Sequence, residues 1–186
     1  VSMGGEPLFP AEVGPQEIAQ LGGKSIEEIR KSDDRSSITQ IMERGAIIKV
    51  KQLYSEGRLN GMVAMGGVSM ALFGGHIMET VPFGVPKLIV CPGAMPAYIS
   101  SWFNSTDVTV LQAIVDFAGL NELVKNVLIR VAGGICGMVQ AADVSTLRLS
   151  KKSIAITQFG FSENCAKLVR QLLEEKGYIV YPFHAQ

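Results

Sequence analysis

The stretch from Gly61 to Lys87 constrains the fold of this chain more than any other. It contains a short apolar run (Met62 to Met65), the glycine pair Gly66-Gly67, a helix-compatible segment, and the lead-in Gly-Val-Pro-Lys. Glycines after a buried strand let the backbone approach a ligand, and the amides of a following helix can hold an anion. The stretch lacks both the dinucleotide and the Walker glycine patterns, so a tight strand-to-helix turn without a ligand is an equally open interpretation.

Strand and helix signals alternate along the chain. We predict strands at Met62 to Met65, Lys87 to Cys91, Val108 to Phe117, Ser153 to Thr157 and Tyr178 to Phe183, with a helix nearly as favoured for the third. The uninterrupted apolar run at Lys87 to Cys91 suits a parallel sheet that is covered on both faces. The predicted fold class is therefore α/β, a three-layer sandwich with a mainly parallel, Rossmann-like sheet.

Helix signals fill the intervals between these strands. Ser25 and Glu28 have the spacing of a capping box, and Ser37 is predicted to cap a longer helix ending near Tyr54. Asn121 is predicted to cap a helix that runs to Ala141, in which three glycines indicate either close packing or a break. Residues 1–24 are predicted to be irregular because glycine and proline recur there.

Composition excludes several classes of protein. Lys+Arg and Asp+Glu are 17 each, so the chain lacks the basic surface that a nucleic-acid-binding protein needs. No apolar run is long enough to span a bilayer, and no signal peptide is recognisable. The three cysteines are unpaired in spacing, and we expect free thiols and a cytoplasmic location.

Three loops follow predicted strands, at Gly66 to Ser69, Pro92 to Asp107 and Gln158 to Asn164, and they are expected to converge on one edge of the sheet. They supply backbone amides, hydroxyls, carboxamides and one carboxylate, which suits a nucleotide phosphate or another small anion. The predicted ligand-binding residues are Gly66, Gly67, Ser69, Asn104, Ser105, Thr106, Asp107, Gly160 and Ser162. No metal site is predicted, because neither histidine has a second ligand at suitable spacing. No catalytic residue is assigned, because no nucleophile and base are paired in the sequence.

Several single residues have two interpretations. Asp107 is either a functional residue (a base or a magnesium ligand) or a helix or strand cap, and the cap has twice the weight. Asp116 is a core carboxylate or a site residue. Cys165 lies in the first turn of a predicted helix, so it is either a thiol activated by the helix N-terminus or, with three times the weight, a buried structural thiol on the apolar stripe. Trp102 and Phe103 stack on a base or close a loop onto the core.

The chain resembles the Tm-one-like ATP-binding family of uncharacterised two-lobed α/β proteins. The resemblance rests on Arg58-Leu59-Asn60-Gly61, Met65-Gly66-Gly67, Phe83 to Lys87, Ser105 to Thr109, Val115 to Asn121, Ile156 to Gly160 and Gly177 to Ala185. It covers nearly the whole chain and identifies a divergent N-terminal lobe. Where the family usually has Ser-Gly-Gly-Thr after the glycine pair, this chain has Val68-Ser69-Met70-Ala71.

The resemblance implies ATP, with magnesium, as the ligand and a homo-oligomer as the assembly. We expect residues 1–186 to form a single α/β domain, one lobe of a larger protein. Its expected function is to bind a nucleotide or small anion at the carboxyl-end loops, without contact to nucleic acid or membrane. The alternative is a partner-binding or oligomerisation domain with a vestigial ligand site, marked by Gly133, Gly134 and Gly137. Whether the protein is an enzyme is left open.

Overall fold

The computed structural model describes residues 10–93, 106–142 and 152–184. The chain divides into two compact units, Val1–Ala142 and Asp143–Gln186. Parallel strands alternate with helices in both units, which confirms the predicted α/β class.

The first unit contains three strands and five helices within its described residues. In chain order they are α1 (Pro15–Leu21), α2 (Ile26–Lys31), α3 (Arg35–Ser55), β1 (Met62–Met65), α4 (Val68–Met78), β2 (Lys87–Cys91), β3 (Thr109–Gln112) and α5 (Glu122–Ala141). The strands form one parallel sheet in the order β1-β2-β3. Met62 pairs with Lys87, and Leu88 pairs with Thr109. Since β1 and β2 occupy the residues predicted for them, the apolar runs alone located these two strands.

Strand β2 is the centre of this unit, and all five of its residues are buried. Its side chains alternate between two apolar layers, as the period of an extended strand requires. Ile89 and Cys91 pack in a cluster with Ala71 and Met78 of α4. Leu88 and Val90 pack instead in a cluster with residues of α5, Val127 and Val131. The predicted three-layer arrangement is therefore present, with the sheet between α4 and α5.

A further cluster joins the first three helices to α4. Ile18 of α1, Met42 and Ala46 of α3, and Phe73 of α4 are among its buried members. Helices α1 and α3 are in close backbone contact at Gly45. A Cβ atom at this position would overlap the carbonyl group of Ile18. Glycine is thus needed at this crossing for its small size.

The helix boundaries confirm some local predictions and correct others. Ser25 and Glu28 form the predicted capping box at the start of α2. The cap of α3 is Asp34 rather than Ser37, since an Asp34 carboxylate oxygen accepts the backbone N–H groups of Ser36 and Ser37, both at 3.1 Å. The prediction that residues 1–24 are irregular is wrong for α1, which begins at Pro15. Proline is tolerated in the first helical turn because its missing N–H would have no intrahelical partner there.

The structure also decides between the strand and helix alternatives near Thr109 and between a continuous and a broken helix α5. Thr109–Gln112 is a strand, so the helix alternative for this segment is wrong. Helix α5 runs without a break through Gly133, Gly134 and Gly137. A Cβ atom at each of these glycines would meet nothing within 4 Å, so packing within the described residues does not require them.

The second unit contains β4 (Ser153–Gln158), α6 (Glu163–Glu175) and β5 (Ile179–His184), with a short 3-10 turn at Gly160–Ser162. The two strands are parallel, with Ser153 opposite Ile179. This confirms the strand-helix-strand unit predicted from the periodicity and from Gly177, which has φ of +80°. Cys165 is exposed, so its predicted burial is wrong.

Candidate functional site at the carboxyl edge of the first sheet

The turn between β1 and α4 lies at the carboxyl edge of the sheet. Gly66 ends the strand, and its N–H donates to the carbonyl of Val90 at 3.1 Å. Its φ of +152° carries the chain out of the sheet, and a Cβ atom there would lie 2.7 Å from the Cβ of Met70. A residue with a side chain would therefore be strained at this position and would crowd α4.

Gly67 is the N-cap of α4, and no side chain of the described residues forms a capping hydrogen bond there. The first N–H groups of an α-helix have no partner within the helix, and they carry its partial positive charge. Gly67, Val68 and Ser69 are all exposed. A Cβ atom at Gly67 would meet nothing within 4 Å among the described residues. The turn therefore presents bare backbone amides, with the Ser69 hydroxyl in the same turn of helix.

Two further segments lie at the same edge. The residues after β2 begin with Pro92 and Gly93, and a Cβ atom at Gly93 would lie 3.9 Å from Cγ2 of Val68. The residues after β3 continue along β2, since the N–H of Ala113 donates to the carbonyl of Cys91 at 3.1 Å. Three chain segments, at residues 66–69, 92–93 and 113–116, thus follow the three strands at one edge, as open parallel sheets arrange them.

The segment after β3 contains two residues with features of their own. Ile114 has φ of +65° and is 79% exposed, a left-handed conformation that is rare for a β-branched residue. Asp116 is exposed, so its interpretation as a core carboxylate is wrong. Sequence reasoning missed Ile114, because no residue type at this position signals a left-handed backbone.

Thr106 and Asp107 lie at the opposite edge of the sheet, which corrects the predicted convergence. They precede β3, and β3 runs parallel to β2. Asp107 therefore lies next to the amino end of β3, whereas Pro92 follows the carboxyl end of β2. The prediction was wrong because Pro92, which follows β2, was taken to place every residue as far as Asp107 at the carboxyl edge.

Asp107 is bonded to the turn that precedes β2. One carboxylate oxygen accepts the Gly84 N–H at 2.8 Å, and the other lies 2.7 Å from Nζ of Lys87. Thr106 Oγ1 lies 3.4 Å from that second oxygen. Of the two sequence-based interpretations, the structure therefore favours the cap, although Asp107 caps a turn rather than a helix.

The other residues singled out in the sequence are outside the described ranges or belong to the second unit. Asn104, Ser105, Trp102 and Phe103 fall outside the described residues. Gly160 and Ser162 belong to the second unit, in which the Ser162 hydroxyl accepts the Phe159 N–H at 3.0 Å. That hydroxyl also donates to the carbonyl of Phe159 at 3.0 Å and so closes its own turn.

Two kinds of feature are absent from the described residues. Within 10–93, 106–142 and 152–184 there is no group of three or more His, Cys, Asp or Glu side chains placed to hold a metal ion. In the same ranges, no helix has the length and apolar character needed to cross a membrane. Residues 66–69, 92–93 and 113–116 include no lysine or arginine, so the hydrogen-bond donors that these segments present are backbone amides and the Ser69 hydroxyl.

Fold and edge geometry together define an α/β domain with a parallel sheet and an uncapped helix N-terminus at its carboxyl edge. The chain belongs to the uncharacterised protein family UPF0261, whose N-terminal domain matches residues 1–144.

Similar proteins come from bacteria and from tomato. The chain is 29% identical over 188 residues to a UPF0261 protein of Clostridium tetani, covering all of this chain and 45% of that protein. It is also 29% identical to a UPF0261 protein of Brucella suis, covering all of this chain and 44% of the relative. The ToMV resistance protein Tm-1(GCR237) of Solanum lycopersicum is 25% identical over 158 residues, which are 83% of this chain and 21% of the tomato protein. The chain thus spans less than half the length of these curated relatives, and the resemblance to Tm-one-like proteins is confirmed at the level of family.

Proposed function

We propose that the first unit binds a small anion, such as the phosphate group of a nucleotide, at the carboxyl edge of its sheet. The observation that carries this proposal is the exposed N-terminus of α4, which no side chain of the described residues caps. In this proposal the anion accepts hydrogen bonds from the amides of the first turn and interacts with the helix dipole.

The glycine pair supports close approach of the ligand to the backbone. Gly66 adopts a backbone angle that strains other residues, and Gly67 has open space where a side chain would project. A phosphate oxygen in that space would meet amides without competition from a capping carboxylate or hydroxyl. The Ser69 hydroxyl would add a donor from the same helical turn.

Asp116 suits the magnesium ion that accompanies a nucleotide. Mg²⁺ in proteins is usually held by one or two carboxylates together with substrate phosphates and water. Asp116 is exposed on the segment that follows β3, at the edge where Gly67 also lies. We therefore assign ATP with magnesium as the first nucleotide to test and Asp116 as the protein's carboxylate for the ion.

Thermal unfolding with ATP, ADP, pyrophosphate and inorganic phosphate, each with and without Mg²⁺, tests the proposal. A ligand at about one hundred times its Kd should stabilise the folded protein by about 2.7 kcal/mol. Absence of any shift with all four compounds at millimolar concentration would refute the proposed function for this chain.

Substitutions at Gly67 locate the binding. Gly67→Asp supplies a capping carboxylate, so it should stabilise the free protein by a few tenths of a kcal/mol. The same carboxylate should abolish anion binding, because it occupies the amides and repels the anion. Gly67→Asn is the matched control, since it caps the helix without a charge and should weaken binding less. Equal anion affinity in wild type and Gly67→Asp would place the ligand elsewhere.

A further inference from the structure

A groove between α3 and α4 has a volume of about 350 Å³ and is lined by both apolar and polar side chains. Its polar lining includes Ser36, Gln40 and Glu43 from α3, and Ser69 and His76 from α4. The volume lies in the range of small-molecule sites, which begins at about 300 Å³.

A carboxylate and an imidazole face each other across this groove. Oε2 of Glu43 lies 3.1 Å from Nδ1 of His76, and the two side chains are 26% and 45% exposed. Within the described part of the chain, this contact leaves Oε1 of Glu43 and Nε2 of His76 for a ligand. When Nδ1–H donates to the carboxylate, Nε2 of the neutral ring is a hydrogen-bond acceptor. The carboxylate therefore orients the imidazole and the pair offers two fixed acceptors.

The rest of the lining selects the chemistry of the ligand. The hydroxyls of Ser36 and Ser69 and the carboxamide of Gln40 both donate and accept hydrogen bonds. Leu72 and Phe73 supply an apolar surface against which C–H groups can pack. No lysine or arginine is among the described residues that line the groove, and Glu43 carries negative charge there, so the lining suits hydroxyl groups better than an anionic group.

We propose that the groove between α3 and α4 binds a polyol the size of a monosaccharide, with Glu43 and His76 accepting hydrogen bonds from its hydroxyls. Two sources supply this chemistry, a free sugar and the sugar of a sugar phosphate. The second source rests on the proposed function, because Ser69 lies both in the first turn of α4 and in the groove.

NMR titration of the ¹⁵N-labelled protein with D-ribose, ribose 5-phosphate and inorganic phosphate tests this proposal. D-Ribose should shift the His76 ring and the Gln40 side-chain amide, and ribose 5-phosphate should also shift the amides of Gly67 to Ser69. Glu43→Gln should weaken ribose binding about tenfold, because a hydrogen bond to a charged acceptor is replaced by a neutral one. Gln40→Ala should weaken it about threefold, and it leaves the Glu43–His76 contact in place.

Glu79→Gln, at the other end of α4, is the matched control and should bind ribose as the wild type does. The groove proposal is overturned if neither sugar shifts His76, if both groove variants bind as the wild type does, or if inorganic phosphate shifts His76 as strongly as ribose. Ribose binding at His76 without any phosphate effect at Gly67 would support the groove and refute the anion site, so the two proposals fail separately.

Discussion

Lys87 and Asp107 form an ion pair at the amino edge of the first sheet, with Nζ and Oδ1 2.7 Å apart. The Lys87 side chain is completely buried, whereas that of Asp107 is 31% exposed. The ammonium group also donates to the carbonyls of Pro82 and Val85, at 2.9 and 3.1 Å. All three ammonium protons thus have acceptors, and one carboxylate joins the turn before β2 to the start of β3.

Removal of the carboxylate should destabilise the protein strongly. Asp107→Ala leaves a buried ammonium without its counter-charge, and we expect a loss of about 3 kcal/mol in the free energy of unfolding. The double variant Lys87→Met, Asp107→Ala should recover much of this loss, because it removes the unpaired charge as well. Urea unfolding of wild type and both variants measures the difference. An Asp107→Ala protein as stable as the wild type would show that the pair contributes little.

Gly45 should tolerate no side chain. A Cβ atom there would overlap the Ile18 carbonyl, and the neighbouring atoms belong to backbone that cannot move by a rotamer change. We expect Gly45→Ala to cost about 3 kcal/mol, at the upper end of overpacking effects, as measured by urea unfolding. A Gly45→Ala protein as stable as the wild type would contradict the backbone crossing of α1 and α3.

Gly134 should show the opposite response. It lies inside the exposed face of α5, and an added Cβ would meet nothing within 4 Å among the described residues. Gly134→Ala should therefore raise the free energy of unfolding by about 1 kcal/mol, the difference in helix propensity. Sedimentation of both proteins gives the oligomeric state. Loss of stability together with dissociation would mean that this face is covered by another copy, as the alternative of an oligomerisation domain marked by these glycines expects.

The capping box of α2 should make stability depend on pH. The pKa of the Glu28 carboxyl lies below its usual 4.5. The main cause is the hydrogen bond from the Ser25 backbone, and the hydrogen bond with the Ser25 side chain is the second. Because the folded-state pKa is the lower one, the stabilisation is fully present above pH 4.5 and is lost as pH falls through the folded-state pKa.

Glu28→Gln removes this titration while keeping the capping geometry. The stability difference between wild type and Glu28→Gln should be constant near neutral pH and should shrink in acid. A difference that is the same at pH 7 and pH 3, or a Glu28 carboxyl that titrates at its usual value by NMR, would contradict the prediction.

Local patterns were sufficient for much of the fold. The buried strand Lys87–Cys91, the capping box at Ser25 and the helix that follows Asn121 all occur where predicted. Each depends on residues a few positions apart, and such local patterns can be recognised directly in the sequence. The glycine turn at Gly66 was found for the same reason.

Which residues lie together at each edge of the sheet depended on tertiary structure. Asp107 follows a long connection, and only the parallel pairing of β3 with β2 shows that it reaches the amino edge, beside Lys87. Ile114 and Asp116 reach the carboxyl edge by the same pairing. The groove between α3 and α4 likewise joins Glu43 to His76, 33 positions apart in the chain.

The sequence by itself determined the class of fold and the elements around the glycine turn. Tertiary structure alone decided which polar residues meet at which edge of the sheet. The physical reason is that periodicity and capping act over a few residues, whereas the direction of a long connection is set by the pairing of distant strands.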